Sequence, residues 1–431
     1  MTPPDRKRTF LFLQGLASGF FDRLGRTLIA RGHGVIRVNL NAGDRVFWRQ
    51  PGALDYRGRP EAWRTYVAEL IADRDITDIV LFGDCRPMHR EAIEVAGTLL
   101  LAVHVVEEGY LRPDWVTIEL GGVNGHSSLP RNPDWYRETA VSLPAVNDVA
   151  TIPSSFNRRA REDVLYNMTA MLLRPLYPFY KTHRPWHPLI EYAGWLRRLV
   201  QRPAARRRSE AMMQRMHTGD PYYLFPLQLD CDSQIRLHSS FKGMAAVIRT
   251  VLTSFATLAP PHTLLVVKEH PLDNGLINWR KLTLDLAATL GITDRLVYLE
   301  QGDIAYLVRD ARGVVTVNST TGTFALAAGV PVITLGHAIY ALPGLTFQGE
   351  LDQFWTDHTT PDAALYDAFR RVLVDRCLIR GGFFSDEGLD MLVTGAVGRL
   401  EAAAPAPMQA SAASARRPTF GPSGPVASPT R

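Results

Sequence analysis

The sequence predicts an α/β fold with two Rossmann-like domains and a disordered C-terminal tail. Short apolar runs alternate with amphipathic helix patterns in the first half of the chain, and the alternation stops in a helical, arginine-rich stretch near residue 200. The same alternation then restarts and continues to a strand pattern at residues 331–334. This pattern is typical of parallel sheets that are covered by helices on both faces.

The first domain is predicted to cover residues 1–205 and to carry a helical extension. Strand patterns occupy residues 9–13, 34–40, 77–82 and 102–106. Helix patterns occupy residues 20–31, 61–72 and 91–101, and an aromatic-rich helical region follows at 156–200. The arginine-rich segment after it is interrupted by Pro203, and we place the domain boundary there.

The second domain is predicted to cover residues 206–400. Its strand patterns lie at residues 222–228, 263–267, 295–299, 313–317 and 331–334, and its helices include 239–258 and 321–328. Residues 401–431 consist largely of Ala, Pro, Ser and Gly, which bury too little apolar surface to offset the entropy of ordering. We therefore predict that this tail is disordered.

Composition narrows the class of protein. The 431 residues are 46% hydrophobic and 21% charged, with a net charge of +5, as in an ordinary globular protein. The three cysteines are widely spaced and odd in number, which disfavours a disulfide framework or a zinc site and indicates a reducing compartment. No apolar run is long enough to span a bilayer, so a cytoplasmic location is expected.

Several polar residues follow strands of the first half and are candidates to line a cleft. Gln14 and Gly15 form a turn after the first strand, which either approaches a ligand or is only a tight turn. Asp84 and Arg86 follow the third strand, where they either bind a ligand or cap a helix. His126 lies in a glycine-rich loop that either lines an acceptor site or is an ordinary flexible loop.

An acidic pair ends the last strand of the first half. A carboxylate from Glu107 or Glu108 would act as a general base or as a nucleophile. Arg112 would orient that carboxylate or neutralise a sugar carboxylate. The alternative is a pair of solvated glutamates at a strand end.

Two segments of the second half are candidates to hold a phosphate group. In the first, Lys268 and His270 would bind the phosphate, with a protonated His270 assisting its departure, and Pro271 closes the turn. The second segment is rich in hydroxyl groups and comprises Asn318, Ser319, Thr320, Thr321 and Gly322. The alternatives are a Lys–Glu pair beside a capping histidine and a simple helix N-cap.

A third segment of the second half contains Asp230 and Asp232 in a DxD pattern. We predict that the polar side chains of this segment line the cleft. They are Gln228, Asp232, Ser233 and Gln234. The alternative is that the two aspartates bind a metal ion.

Basic residues concentrate between Arg197 and Arg208, close to Trp186 and Trp195. This segment either binds anionic lipid headgroups or is a solvated linker. Nucleic acid is not an expected partner, because no nucleic-acid-binding motif accompanies the charge.

The motifs together resemble a known family. The EEG segment (residues 107–109), the KEHP segment (268–271) and the NSTTGT segment (318–323) are similar to motifs of bacterial CMP-sugar transferases. Residues 12–33 and the DSQ segment (232–234) resemble the capsule polysaccharide biosynthesis and export family. The resemblance covers residues 10 to 346 and implies a glycosyltransferase-B-like arrangement, in which the two domains face a cleft.

The resemblance implies a β-Kdo glycosyltransferase, of the single-module type that primes a lipid-linked capsule linker. Lys268 and His270 would then bind the CMP moiety, residues 319–322 its phosphate, and Glu108 would match a catalytic carboxylate that is aspartate in many relatives. A CMP-sugar has one phosphate, so no metal or other cofactor is expected.

The implied reaction moves Kdo from CMP-Kdo to a lysophospholipid or a short Kdo-linker acceptor. The enzyme would work peripherally at the inner membrane surface, and the capsule export complex is a possible partner. Two alternatives stay open: a non-catalytic adaptor of the export machinery, and a transferase for another CMP-sugar such as sialic acid.

Overall fold

Two β-sheets organise the chain in a computed structural model that describes residues 7–147, 151–182, 184–216, 220–230, 235 and 239–403. The first sheet contains β1 (Thr9–Phe12), β2 (Gly34–Asn39), β3 (Leu54–Asp55), β4 (Asp78–Phe82), β5 (Ala102–Glu108), β6 (Trp115–Leu120) and β12 (Leu378–Arg380). The second sheet contains β7 (Tyr222–Pro226), β8 (Leu264–Lys268), β9 (Leu296–Leu299), β10 (Gly313–Thr316) and β11 (Val332–Thr334).

Helices cover both sheets and connect most of the strands. The helices of the first half are α1 (Phe20–Ala30), α2 (Ala42–Val46), α3 (Trp63–Asp73), α4 (Pro87–Thr98), α5 (Pro133–Ala140), α6 (Phe156–Leu172) and α7 (Pro188–Met216). Those of the second half are α8 (Met244–Leu258), α9 (Trp279–Thr289), α10 (Ile304–Arg309), α11 (Thr321–Ala327), α12 (Leu351–Asp357), α13 (Ala363–Arg376) and α14 (Asp386–Ala402).

Both sheets have the strand order of a Rossmann-like domain. The first runs β3-β2-β1-β4-β5 and is parallel throughout this part, and the second runs β9-β8-β7-β10-β11 and is entirely parallel. In such sheets the connection reverses direction between the first and fourth strands, and ligands bind beside the carboxyl ends of those strands. The predicted α/β class with two Rossmann-like sheets is confirmed.

Central strands are buried on both faces, which explains their continuous apolar sequences. On β1, Phe10 and Phe12 pack in one cluster with Phe82, whereas Leu11 belongs to the cluster on the opposite face with Leu81. Because successive side chains of a strand point to opposite faces, an uninterrupted apolar run fits a sheet that is covered twice.

The end of the chain returns to the first sheet, which the sequence analysis did not predict. The antiparallel strand β12 pairs with β6, with Ile379 opposite Val116, and α14 then packs against α1. Leu389 and Leu392 of α14 are fully buried in the same cluster as Phe10. Burial of apolar side chains therefore places β12 and α14 in the first domain. The second domain, predicted to cover residues 206–400, ends before β12.

The two predicted boundaries also differ from the structure. Helix α7 continues through Pro203, so the boundary between residues 205 and 206 lies inside one helix of 29 residues. Glu401 belongs to α14 and pairs with Arg31 at 2.6 Å, so order continues past the predicted start of the tail. Residues 404–431 of that tail lie outside the described residues. Among the helices described, none is both long and apolar enough to span a membrane.

A buried ionic cluster fixes the returning chain to the edge where the parallel strands begin. The carboxylate of Asp78 accepts from the Arg8 side chain, at 2.8 Å from Nε, and lies 2.7 Å from Nε2 of His104. Arg8 also donates to the backbone oxygen of Leu400 at 2.6 Å. Burial raises the pKa of Asp78, but the bonds from His104 and Arg8 outweigh it and leave this pKa below its ordinary value.

We predict that Asp78→Asn lowers the free energy of unfolding by about 3–5 kcal/mol, because it leaves the buried Arg8 without its counter-ion. Chemical denaturation followed by circular dichroism measures the change. The exposed Asp73→Asn is the matched control and should leave the unfolding curve in place. Equal curves for the two variants would contradict the prediction.

Candidate active site

Polar segments of the second half meet at the carboxyl edge of its sheet. The side chain of Gln228, just after β7, donates to Asn318 Oδ1 at 2.9 Å and accepts from the Asn318 backbone N–H at 3.1 Å. On the other side of β7, the Leu227 backbone N–H donates to the Lys268 oxygen at 2.8 Å. The KEHP and NSTTGT segments thus flank β7, and Gln228 lies at the point where the strand order reverses.

Burial sets the protonation of the KEHP segment. Burial lowers the pKa of Lys268 to about 8, although the charge of Glu269 acts in the opposite direction. The pKa of His270 is lowered to about 4, first by burial and then by the cations Arg112, Lys268 and Arg198. A pKa this low makes His270 neutral near pH 7 in the absence of a ligand. Its protonation when a phosphate is bound stays a prediction.

The tautomer of His270 follows from its hydrogen bond. Its Nδ1 accepts from the backbone N–H of Leu272 at 3.1 Å, so the ring proton lies on Nε2. A neutral His270 is thus a donor through Nε2. Pro271 continues the turn and is exposed.

Arg198 of α7 holds the KEHP segment, and the sequence analysis did not identify it as a site residue. Its guanidinium donates to the backbone oxygens of Asp273 and, at 3.3 Å, of His270, and it pairs with Glu269 at 3.2 Å. The arginine-rich composition of this segment was visible in the sequence. Which arginine turns inward depends on how α7 packs, and composition carries no signal for it.

The hydroxyl-rich segment is largely bonded within itself. Ser319 Oγ accepts from the Thr321 backbone N–H at 3.2 Å, and the Ser319 N–H donates to Thr316 Oγ1 at 3.1 Å. A Cβ on Gly322 would come within 2.3 Å of the Tyr340 hydroxyl, so only glycine fits there. Thr320 precedes the seven-residue helix α11. The Thr320 side chain makes no capping hydrogen bond to this helix, and phosphate binding remains a prediction.

Glu108 ends β5 as predicted and is held by two arginines. Its two carboxylate oxygens pair with Arg112 at 2.8 Å and with Arg159 of α6 at 2.9 Å. Burial raises the pKa of Glu108, but these two guanidinium groups outweigh it and leave the pKa below its ordinary value. Glu108 is therefore ionised at neutral pH. Arg159 was missed from the sequence, because it reaches Glu108 only through the packing of α6.

Glu108 and Arg112 of the first half lie near the KEHP segment of the second half. The charges of Glu108 and Arg112 both act on the pKa of His270, so the three side chains lie within electrostatic reach of one another. Nearby, the Thr323 hydroxyl donates to the Tyr110 backbone oxygen at 3.3 Å. The ends of β5 and β8 therefore border the same gap between the two halves.

The Glu107 carboxylate lies near the end of β4, and its Oε1 accepts from the Glu108 backbone N–H at 3.1 Å. A Cβ built on Gly83 would lie 3.3 Å from Glu107 Oε2, and Gly83 has the positive φ of +70° that favours glycine. Gly109 is required for another reason, because a Cβ there would come within 2.1 Å of the Trp115 backbone oxygen. The glycine of the EEG segment thus permits the tight return into β6.

The predicted cleft residues at the end of β1 are covered by the helical extension. Gln14 is buried and donates to the Tyr166 hydroxyl of α6 at 2.8 Å and to the Tyr180 hydroxyl at 3.1 Å. Arg86 donates to the Gly15 backbone oxygen at 3.2 Å. These contacts join β1, β4 and α6, so the side chain of Gln14 supports packing at this edge.

Asp84 and His126 are brought together, although they are far apart in sequence. The buried Asp84 Oδ2 lies 3.0 Å from His126 Nδ1 and accepts from the Val123 backbone N–H at 3.0 Å. With Cys85, they form a group whose ligand atoms all lie within 4.8 Å and could hold a metal ion. Hydrogen bonds account for the Asp84 contacts, and the expected absence of a metal stays a prediction.

The first aspartate of the DxD pattern has a structural contact. Asp230 Oδ1 accepts from the Met244 backbone N–H at 2.7 Å, at the start of α8. Asp232, Ser233 and Gln234 lie outside the described residues.

Comparison with known proteins gives the context of this site. The model of the family described as capsule polysaccharide biosynthesis protein matches residues 77–384. The capsule polysaccharide export protein KpsS of Escherichia coli is 34% identical over 88% of this chain and 97% of its own. The capsule polysaccharide modification protein LipB of Neisseria meningitidis serogroup B is 32% identical over 87% of this chain and 91% of its own.

A solved structure is also similar in part. The KpsC β-Kdo 2,7 transferase of Thermosulfurimonas dismutans matches 91% of this chain and 99% of its own, at 15% identity and a TM-score of 0.42. Because the family model spans more than half of the chain, and both relatives match nearly from end to end, this chain belongs to the capsule polysaccharide biosynthesis protein family.

Proposed function

We propose that the protein is a glycosyltransferase that moves Kdo from CMP-Kdo to a lysophospholipid or a short Kdo-linker acceptor. The observation that carries the proposal is the ionised Glu108, which lies across one gap from the KEHP segment of the other half. Membership in a capsule polysaccharide family and similarity to proteins named for capsule export and modification support it. The proposed place of action is the cytoplasmic face of the inner membrane, with the capsule export complex as a further partner.

The proposed donor site uses the KEHP segment. Lys268 supplies a cation, and neutral His270 donates its Nε2 proton to a phosphate oxygen. A bound phosphate favours the charged form of nearby bases, so donor binding raises the pKa of both groups. A CMP leaving group carries a single phosphate, and these donors are the proposed substitute for a metal ion.

The proposed role of Glu108 follows from its charge. An ionised carboxylate stabilises the positive charge that develops at an anomeric carbon when the bond to phosphate breaks. Arg112 is partly exposed, and a sugar carboxylate can compete with Glu108 for its guanidinium. Each Glu108 oxygen has one arginine partner, and the two pairs hold the carboxylate in position.

A donor panel tests the reaction itself. We expect the purified protein to release CMP from CMP-Kdo only when a lysophospholipid or a short Kdo-linker acceptor is present, and to retain this activity in EDTA. Mass spectrometry of the product measures transfer. Turnover with CMP-sialic acid in place of CMP-Kdo would change the assigned sugar, and no turnover with any donor would favour the adaptor alternative.

Glu108→Gln should lower kcat by about 10²-fold or more, because the variant loses the charge beside the reacting carbon. Glu107→Gln is the neighbouring control, and we expect less than about a tenfold loss, since its carboxylate lies toward Gly83. Thermal melting of both variants separates loss of chemistry from loss of fold. Full activity of a folded Glu108→Gln protein would contradict the proposed role of Glu108 beside the anomeric carbon.

CMP binding should weaken as the pH rises through about 8, where Lys268 loses its charge. Burial holds the pKa of Lys268 below its ordinary value, whereas a bound phosphate favours the charged lysine. The dissociation constant of CMP therefore rises by up to about tenfold per pH unit above 8. Calorimetric titration with CMP measures the effect. Lys268→Met should bind weakly at every pH, whereas the exposed Lys281→Met should follow the wild type. A wild-type affinity that is constant from pH 7 to pH 9.5 would contradict this assignment.

A further inference from the structure

Exposed apolar side chains concentrate on one part of the molecule. Of the 21 large apolar side chains that are exposed among the described residues, 13 lie between positions 156 and 200. This segment comprises α6, α7 and the chain between them. Scattered exposed apolar residues are normal on soluble proteins, but a concentration of this kind marks an interaction surface.

Helix α7 presents apolar residues on the side that faces away from the protein. Its inner side contains Gly194, where a Cβ would come within 2.5 Å of the Asn274 backbone oxygen, and Arg198, which holds the KEHP segment. On the opposite side, Leu189, Leu196 and Val200 are 52%, 64% and 74% exposed. Their spacing of seven and four residues gives one stripe along the helix, where a surface helix usually carries polar groups.

The same segment carries a strong positive charge. Residues 156–208 contain twelve Lys and Arg against three Asp and Glu, whereas the whole chain has a net charge of only +5. Arg197, Arg202 and Arg207 of α7 are exposed, and their side chains make no ion pair with any residue that the structure describes. An apolar stripe flanked by unpaired arginines is complementary to the headgroups and acyl chains of an anionic bilayer.

We propose that the outer face of α6 and α7, defined by the exposed apolar side chains of residues 156–200 and the arginines beside them, docks on the surface of an anionic phospholipid bilayer. Each arginine near such a surface contributes about 1 kcal/mol, and burial of apolar side chains adds to this. The inner sides of the same helices hold the gap, through Arg159 with Glu108 and Arg198 with His270. Docking therefore brings the gap close to the membrane, and this last step rests on the proposed lipid acceptor.

Vesicle sedimentation with the full-length protein tests the surface. We expect binding to phosphatidylcholine vesicles that contain phosphatidylglycerol, weaker binding to phosphatidylcholine alone, and a loss of affinity at high salt. A combined Leu196→Ser, Leu199→Ser and Val200→Ser variant should bind at least about tenfold more weakly, since three apolar side chains leave the interface. A combined Arg197→Gln, Arg202→Gln and Arg207→Gln variant should lose the preference for phosphatidylglycerol.

The matched control replaces exposed apolar residues elsewhere, by Leu120→Ser, Val141→Ser and Leu258→Ser, and should bind as the wild type does. Equal binding of the two serine variants would overturn the proposal. So would a wild-type dimer that the Leu196, Leu199 and Val200 substitutions convert to a monomer in light scattering, because a second copy would then cover this face.

A short-chain, water-soluble lysophospholipid separates this proposal from the proposed reaction. The serine variant of α7 should transfer sugar to the soluble acceptor at the wild-type rate and lose transfer only to acceptors in vesicles. Suppose that neither the wild type nor the serine variant transfers sugar, but the wild type still binds vesicles through α7. The proposed reaction is then wrong, and the proposed membrane-binding surface is confirmed.

Discussion

The arrangement of the gap depends on the chain crossing twice between the two sheets. The first crossing is α7, and the second is the return from α13 to β12 and α14, which pack on the first sheet. Two crossings restrain the relative rotation of two domains more than a single linker does, because any hinge must bend both connections. Arg137 and Asp362 add a salt bridge at 2.8 Å between the halves. The separation of Glu108 and His270 therefore depends on these connections as well as on the local contacts of Arg159 and Arg198.

Within the gap, several positively charged side chains lie close together, as in a binding site for an anion. Arg112, Arg198 and Lys268 converge near His270, and each of them lowers the pKa of that imidazole. Cations held close together repel one another, and an anion placed between them would relieve that repulsion. The carboxylates of Glu108 and Glu269 offset part of this charge, which allows the cations to remain close together.

The sequence predicted the elements whose signals are local. Strands such as β1, β4 and β8 read as continuous apolar runs, because both of their faces are covered. Strand β6 was missed because Thr117 and Glu119, although buried, interrupt its apolar pattern, and β12 has only three residues. Glu108 could be predicted because it ends a recognisable strand. Arg159 and Arg198 could not, since each is one of several arginines on a helix and only tertiary packing selects it.

The N-terminal part of α7 is amphipathic in the direction opposite to that of an ordinary surface helix. Its inner side must approach the loop after β8 closely, which requires Gly194, and must supply Arg198 to the backbone there. Those needs account for the small and charged residues on the buried side of the helix, where apolar residues are usual. They do not account for Leu196 and Val200 on the outer side, whose exposure costs free energy unless another apolar phase covers them. The N-terminal part of α7, around Gly194 and Arg198, is thus polar inward and apolar outward, which is the arrangement that the proposed docking on a bilayer requires.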